Sequence, residues 1–210
     1  MALKTLEEIF EPDIRSTVWV YVDSETGKEQ RRSLSDHYKE IAGLCLDETV
    51  LQEIVDHFDV ARNLLLYSWY VYRFIPVAER HALASLEMAL KLKYARFIET
   101  NPDERPEKKP RMLKKLLKFA FKQGWLRKTV EWDSAVKKEY AQINIKMLSD
   151  ITGEAPSPND NNKEASGKLL LKELLDFRNE YSHGSSMLVT HGFRIIDICR
   201  KMINELLATP

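Results

Sequence analysis

The chain has 210 residues, enough for one domain or two small ones, and 44% of them are hydrophobic against 30% charged, so a packed core and a solvated surface are both affordable. Its 32 basic and 32 acidic residues cancel, which argues against tight nonspecific coating of a polyanion and leaves only a local patch for one. With 7 Gly and 8 Pro, the composition suits long helices better than a turn-rich β protein.

In chain order, MALKTLEEIFEPD carries acidic residues and no long apolar run, so it is not expected to be a signal peptide; residues 3–10 suggest a short helix stopped by Pro12. In TVWVYVD, Thr17, Trp19 and Tyr21 alternate with Val18, Val20 and Val22, and Gly27 lies in a turn before KEQRRSL, which predicts a β-hairpin over 16–32. Ser35 or Asp36 is positioned to cap a helix reaching Gly43. From Asp47 or Glu48 to Ile75, the positions Leu51, Ile54, Phe58, Ala61, Leu65, Ser68 and Tyr72 follow helical spacing, and Pro76 is expected to interrupt. The stretch Leu64–Ile75 is apolar nearly all round, so it is central in the core or packed on a second subunit; it is too short to span a bilayer and contains Arg73.

A helix over Val77–Glu99 follows, then the linker NPDERPEKKP, a basic amphipathic helix over 111–123 ended by Gly124, and a helix over 133–149. The polar, aperiodic segment 152–167 reads as a mobile loop, and two helices, 168–183 and 186–208, close the chain. The expected fold is all-α, a bundle with a short N-terminal hairpin: residues 1–34 form an extension and 35–210 the helical domain. Cys45 and Cys199 read as buried thiols in a reducing compartment, and the expected location is cytoplasmic, with no membrane partner.

In KLLLKELLDFRNEYSH, Leu170, Leu174, Phe177 and Tyr181 form a stripe that Leu171 and Leu175 widen, and Arg178 falls inside it. In VAERHALASLEMALKLKYARF, Leu83, Leu86, Leu90, Tyr94 and Phe97 form a stripe that contains Glu87. A charge on each buried face needs a partner, and the simplest account is that Glu87 and Arg178 meet. Two readings are open: a structural ion pair, or a guanidinium that Glu87 orients while some of its donors remain available for a phosphate. His183 lies about 140° from Arg178 on a continuous helix, beside the helix-terminating Gly184. At a helix end its direction is open, so it either caps the surface or turns toward Arg178 for proton transfer near neutral pH.

The segment RNEYSH, 178–183, resembles the R-N-x-x-x-H motif of the HEPN superfamily of small all-helical proteins, and the helix pair around ASLEMALK resembles that family over roughly residues 47–205. The resemblance implies a metal-independent RNA endonuclease that leaves 2′,3′-cyclic phosphate ends and needs no cofactor and no metal ligand. It implies a homodimer whose cleft joins two motifs. There His183 would move a proton at the 2′-OH or the leaving oxygen, Arg178 would hold the scissile phosphate, and Asn179 would help position the site, with Glu87 behind them. A toxin–antitoxin or phage-defence setting, with an antitoxin or inhibitor protein as partner, comes with the same resemblance. Family members regulated by nucleotidylation often carry tyrosine two residues after the histidine; Ser185 stands there, although Tyr181 is near. The alternatives are a nucleotide- or RNA-binding module that does not cut, and a helical interaction protein.

Lys108, Lys109, Arg111, Lys114, Lys115, Lys118, Lys122, Arg127 and Lys128 make 108–128 the most basic region. It reads as a solvated helix face or as a patch that steers RNA; in the second case Lys114, Lys118 and Tyr181 touch substrate, and Trp125 stacks on a base unless it plugs the core. His37, His57, His81 and His191 share no spacing and read as surface or satisfied histidines.

Overall fold

The computed structural model describes residues 3–18, 20–22, 27–138, 163–182 and 192–208. It is mostly helical, as composition and periodicity predict: α1 (Ile14–Thr17), α2 (Leu34–Ala42), α3 (Gln52–Tyr67), α4 (Phe74–Thr100), α5 (Leu113–Lys122), α6 (residues 127–138), α7 (Lys163–Ser182) and α8 (Gly192–Leu207). A small antiparallel ladder near the N-terminus pairs β1 (Val20–Val22) with β2 (Glu29–Arg31), Tyr21 opposite Gln30. Gly27, at φ +65°, takes the left-handed turn conformation between them.

α4 is the hub, with α3, α5, α7 and α8 all packed on it. Its sequence allows this because two stripes are buried at once. Leu83, Leu86, Leu90 and Tyr94 supply bulk, while Ala78, Ala82, Ser85 and Ala89 are small and let neighbouring helices approach. Phe58 and Leu65 of α3 and Ile195, Ile198, Met202 and Ile203 of α8 fill the space around it, all fully buried. Each such large side chain stabilises the fold by roughly 1.5–3 kcal/mol. No helix among the described residues is long and apolar enough to cross a membrane.

Several expected boundaries move. The helix expected to run to Ile75 stops at Tyr67, and Pro76 lies in the first turn of α4, where its missing N–H costs nothing. The break is held by the N-terminal segment: the Asp13 N–H donates to Trp69 O at 2.9 Å, the Asp13 carboxylate accepts from the Tyr72 N–H at 3.4 Å, and Arg15 lies 5.0 Å over the Tyr72 ring. Residues 6–10 form turns instead of the helix expected over 3–10, leaving Leu3, Leu6 and Phe10 exposed with no apolar face to dock on. Thr17, expected in a strand, ends α1, whose N-cap is Asp13. The second helix is capped two to three residues earlier than expected, at Ser33 and not Ser35 or Asp36, by a capping box in which Ser33 and Asp36 satisfy each other's backbone N–H.

The helix expected over 133–149 begins at 127, and its last eleven residues, like 152–162 of the expected loop, lie outside the described residues. Residues 163–167, expected in that loop, are the first turn of α7, because Lys, Glu and Ala favour helix. Gly124 ends α5 at φ +70°, as the sequence suggests. Cys199 is buried as expected, but Cys45, in the connection after α2, is exposed.

Candidate functional site

α7 carries the residues singled out in the sequence. Leu170 and Leu174 are fully buried and face α4 and α5, so the stripe reading of this helix holds for its first half. The helix is continuous over its described span to Ser182, which places Arg178, Asn179 and Tyr181 in its last described turns. The side chains of Arg178, Asn179 and Tyr181, and the whole of His183, lie outside the described residues.

What fixes α7 is an ion quartet that links three helices. Arg194 of α8 reaches Asp133 of α6 at 2.7 Å and makes a two-pronged contact with Glu173 of α7; Lys137 reaches Asp133 at 2.7 Å and Glu173 at 3.0 Å. Asp133 is only 2% exposed, and its two oxygens are divided between the two cations. Burial pushes the Glu173 carboxyl up, but hydrogen bonds from Arg194 and Lys137 outweigh it and hold the group below its usual range. Burial likewise opposes charge on Arg194, and Glu173 and Asp133 overcome it. Alternating charges with satisfied donors make such a group stable only as a unit. Glu173 sits five residues, about 7.5 Å of helix rise, before Arg178, so the quartet sets the rotation and height at which α7 presents its motif.

Glu87 is half-buried on α4, with its Oε1 2.7 Å from Lys91 Nζ one turn on. Lys91, Lys109 and Arg111 surround Tyr94 and Pro110 in a groove of about 470 Å³. A second groove, of about 630 Å³, lies where the end of α5, the start of α6 and the first turns of α7 meet. Lys118, Lys122, Arg127 and Lys168 rim it, over a floor of Phe121, Leu126, Val130 and Leu171. Lys114 and Lys118 are both exposed on α5. Trp125 is half-buried and packs edge-to-face on Phe97 and Phe119 at 5.2 and 5.5 Å, the arrangement of a plug between α4 and α5.

One buried charge, Glu79, was not singled out in the sequence, and three of the histidines read there as surface or satisfied side chains, His37, His57 and His81, have defined surroundings. Glu79, fully buried on α4, falls in the same stripe as Leu83, Leu86 and Leu90 and lies near enough to Cys199 and Tyr72 to raise both pKa values, on top of burial. Its spacing from Leu83 and Leu86 was a readable signal, as good as that of Glu87. His57 and His81 stack with ring centroids 4.1 Å apart. The Ser85 hydroxyl donates to the His81 carbonyl at 3.1 Å, so it accepts from His57 Nδ1 at 2.8 Å. Burial and the neighbouring His57 ring hold His81 below the ordinary histidine range. His37 is buried, donates from Nε2 to the Leu65 carbonyl at 2.9 Å, and meets Trp69 and Phe193 ring to ring. It is a core histidine paired at Nε2 only, since its Nδ1 is buried without a hydrogen-bond partner, so the satisfied reading holds for one of its two ring nitrogens.

Among the described residues, no three His, Cys, Asp or Glu side chains converge on a point that would hold a metal ion. No family model, no curated protein and no solved structure matches the chain.

Proposed function

We propose that the chain is a metal-independent RNA endonuclease acting as a homodimer, with Arg178 and His183 of both protomers in one cleft. The observation that carries this reading is the placement of 178–182 in the last turns of α7, on a helix pinned through Glu173 and packed on the α4 helix that bears Glu87. The exposed lysines beside α7 add support, because a chain of balanced net charge has gathered them where a phosphate backbone would approach.

In the proposed reaction the 2′-OH attacks the adjacent phosphorus, the P–O5′ bond breaks, and a 2′,3′-cyclic phosphate and a 5′-OH result. One His183 takes the 2′-OH proton and the partner's copy returns one to the leaving oxygen. Arg178 offsets the charge that builds on the phosphoryl oxygens, and Asn179 positions the site. The resemblance to HEPN proteins makes a toxin–antitoxin or phage-defence role, with an inhibitor protein, part of the same proposal.

RNA incubated with the protein in excess EDTA tests it. Cleavage with cyclic phosphate ends, lost in His183→Ala, is the expected result; cleavage unaffected by that substitution removes the assigned role. A second reading, an RNA-binding module without catalysis, is favoured by one observation: Glu87 is already engaged by Lys91. Binding without cleavage, abolished by Arg178→Ala, would select it.

A further inference from the structure

The basic run 108–128 does more than cover a helix face. From Lys108 to Val130 there is no acidic residue, in a chain whose charges otherwise balance. Lys114, Lys118 and Lys122 recur every four residues on α5 and are all exposed, so they line up along one side of the helix. α5 has ten residues, about 15 Å of helix, and a groove opens at each end of it. Both grooves have cations at the rim and apolar or aromatic groups in the floor: Phe121, Leu126 and Val130 in one, Tyr94 and Pro110 in the other.

Cations alone would suit any polyanion; the apolar floors narrow the choice. A duplex keeps its bases stacked inside and would leave the floors wet. A single strand offers both phosphates and free base faces. The opposite side of α5, Leu113, Leu116, Leu117 and Ala120, is at most 2% exposed, so it has no apolar face to insert into a bilayer. Both groove volumes fall in the range that takes small ligands, roughly 300–1,000 Å³.

We infer that α5 and its two flanking grooves form a track for a single strand of nucleic acid, with phosphates on the lysine row and unpaired bases over the apolar floors. That the strand is RNA rests on the nuclease reading above; the track itself follows from the charge and shape of the surface.

The test is fluorescence anisotropy with a single-stranded, fully 2′-O-methylated RNA of about 12 nucleotides, a length within the usual span of single-strand sites. The same strand in a duplex, the strand without bases, an acidic peptide and phosphatidylserine vesicles are the competitors. The single strand binds at least tenfold tighter than the duplex and at least fivefold tighter than the abasic strand. Lys118→Glu with Lys122→Glu weakens it at least tenfold and flattens the slope of log K against log salt by about 1.4, the loss of two phosphate contacts. Lys39→Glu on α2 changes neither. Equal binding of the duplex or abasic strand, preference for peptide or vesicles, no binding at all, or a double variant identical to wild type each overturns the track. The methylated strand lacks the nucleophile of the proposed cleavage, so the two ideas fail separately. Tight binding by a protein that never cuts RNA leaves the track and removes the nuclease. Cleavage that persists while the double variant binds normally does the reverse.

Discussion

Glu205 of α8 caps the start of α6, and its removal has a calculable cost. One carboxylate oxygen accepts from the Lys128 N–H at 2.7 Å, and the other accepts from the Thr129 N–H at 2.9 Å and the Thr129 hydroxyl at 2.6 Å. First-turn N–H groups have no partner within their helix, and here a distant helix supplies it. In Glu205→Ala the exposed Lys128 N–H turns to water, but Thr129, only 2% exposed, keeps two donors with nowhere to go. Orphaned buried donors cost about 1–3 kcal/mol each, and losing the charge at a helix N-terminus adds about 0.3–1 kcal/mol; with both donors near the lower bound the total is about 3 kcal/mol. For a chain of this size each kcal/mol moves Tm by about 2–4 °C, which gives a drop of about 6–12 °C by calorimetry. Glu205→Gln keeps one acceptor oxygen, which can stay on the Thr129 N–H and hydroxyl, and gives up the charge and the bond to the exposed Lys128 N–H, so its drop is about a third as large. A Glu205→Ala shift under 2 °C, or equal shifts for Ala and Gln, would show that the cap is not what holds α6.

Asp133→Asn breaks the quartet and leaves Arg194 and Lys137 facing a neutral amide, a loss of about 1–3 kcal/mol, less than for a fully buried pair because the Lys137 and Arg194 side chains are 42% and 26% exposed; a urea midpoint within error of wild type would refute that. Gly167→Ala should raise Tm, because a Cβ there meets Phe121 at 3.9 Å and Val130 at 4.0 Å without a clash and helix propensity improves by about 1 kcal/mol. Gly124→Ala should lower it by a similar energy, about 1–2 kcal/mol, because of the φ of +70°. Acid should act in two stages. His37 and His81 are both held below the ordinary 6.5, so the unfolded chain binds more protons there; their contribution is complete above that pH and declines as pH falls below it. Glu173 and Asp13 are held below 4.5 and 3.8, and what they contribute is lost at lower pH still. A urea midpoint that rises from pH 7 to 5 contradicts the first stage.

Elements that bury one stripe were legible. α5 has Leu113, Leu116, Leu117 and Ala120 on one side and lysines on the other, and its bounds shift by only two residues. The break at 68–73 was not legible, because Ser68 and Tyr72 continue the helical spacing; it exists because Asp13, more than fifty positions away, bonds to its backbone. The quartet was invisible for the same reason: Asp133, Glu173 and Arg194 have no local pattern in common. Of two glutamates on α4 with equivalent spacing the sequence reading takes Glu87 as the inward charge, and packing buries Glu79 instead. A helix wheel gives a residue's side, but not how far neighbouring helices cover it.

The two cysteines differ in a way that is practically useful. Cys45 is open to solvent, while Cys199 is sealed in the core with its thiol driven well above the ordinary value by burial and the nearby Glu79 charge. A folded molecule therefore offers one modifiable sulfur and an unfolded one offers two. Colorimetric titration of thiols becomes a folding clock that needs no engineered probe, and a dye placed on the native chain goes to a single known address, two residues before the Asp47 N–H that Asn204 of α8 holds at 3.1 Å.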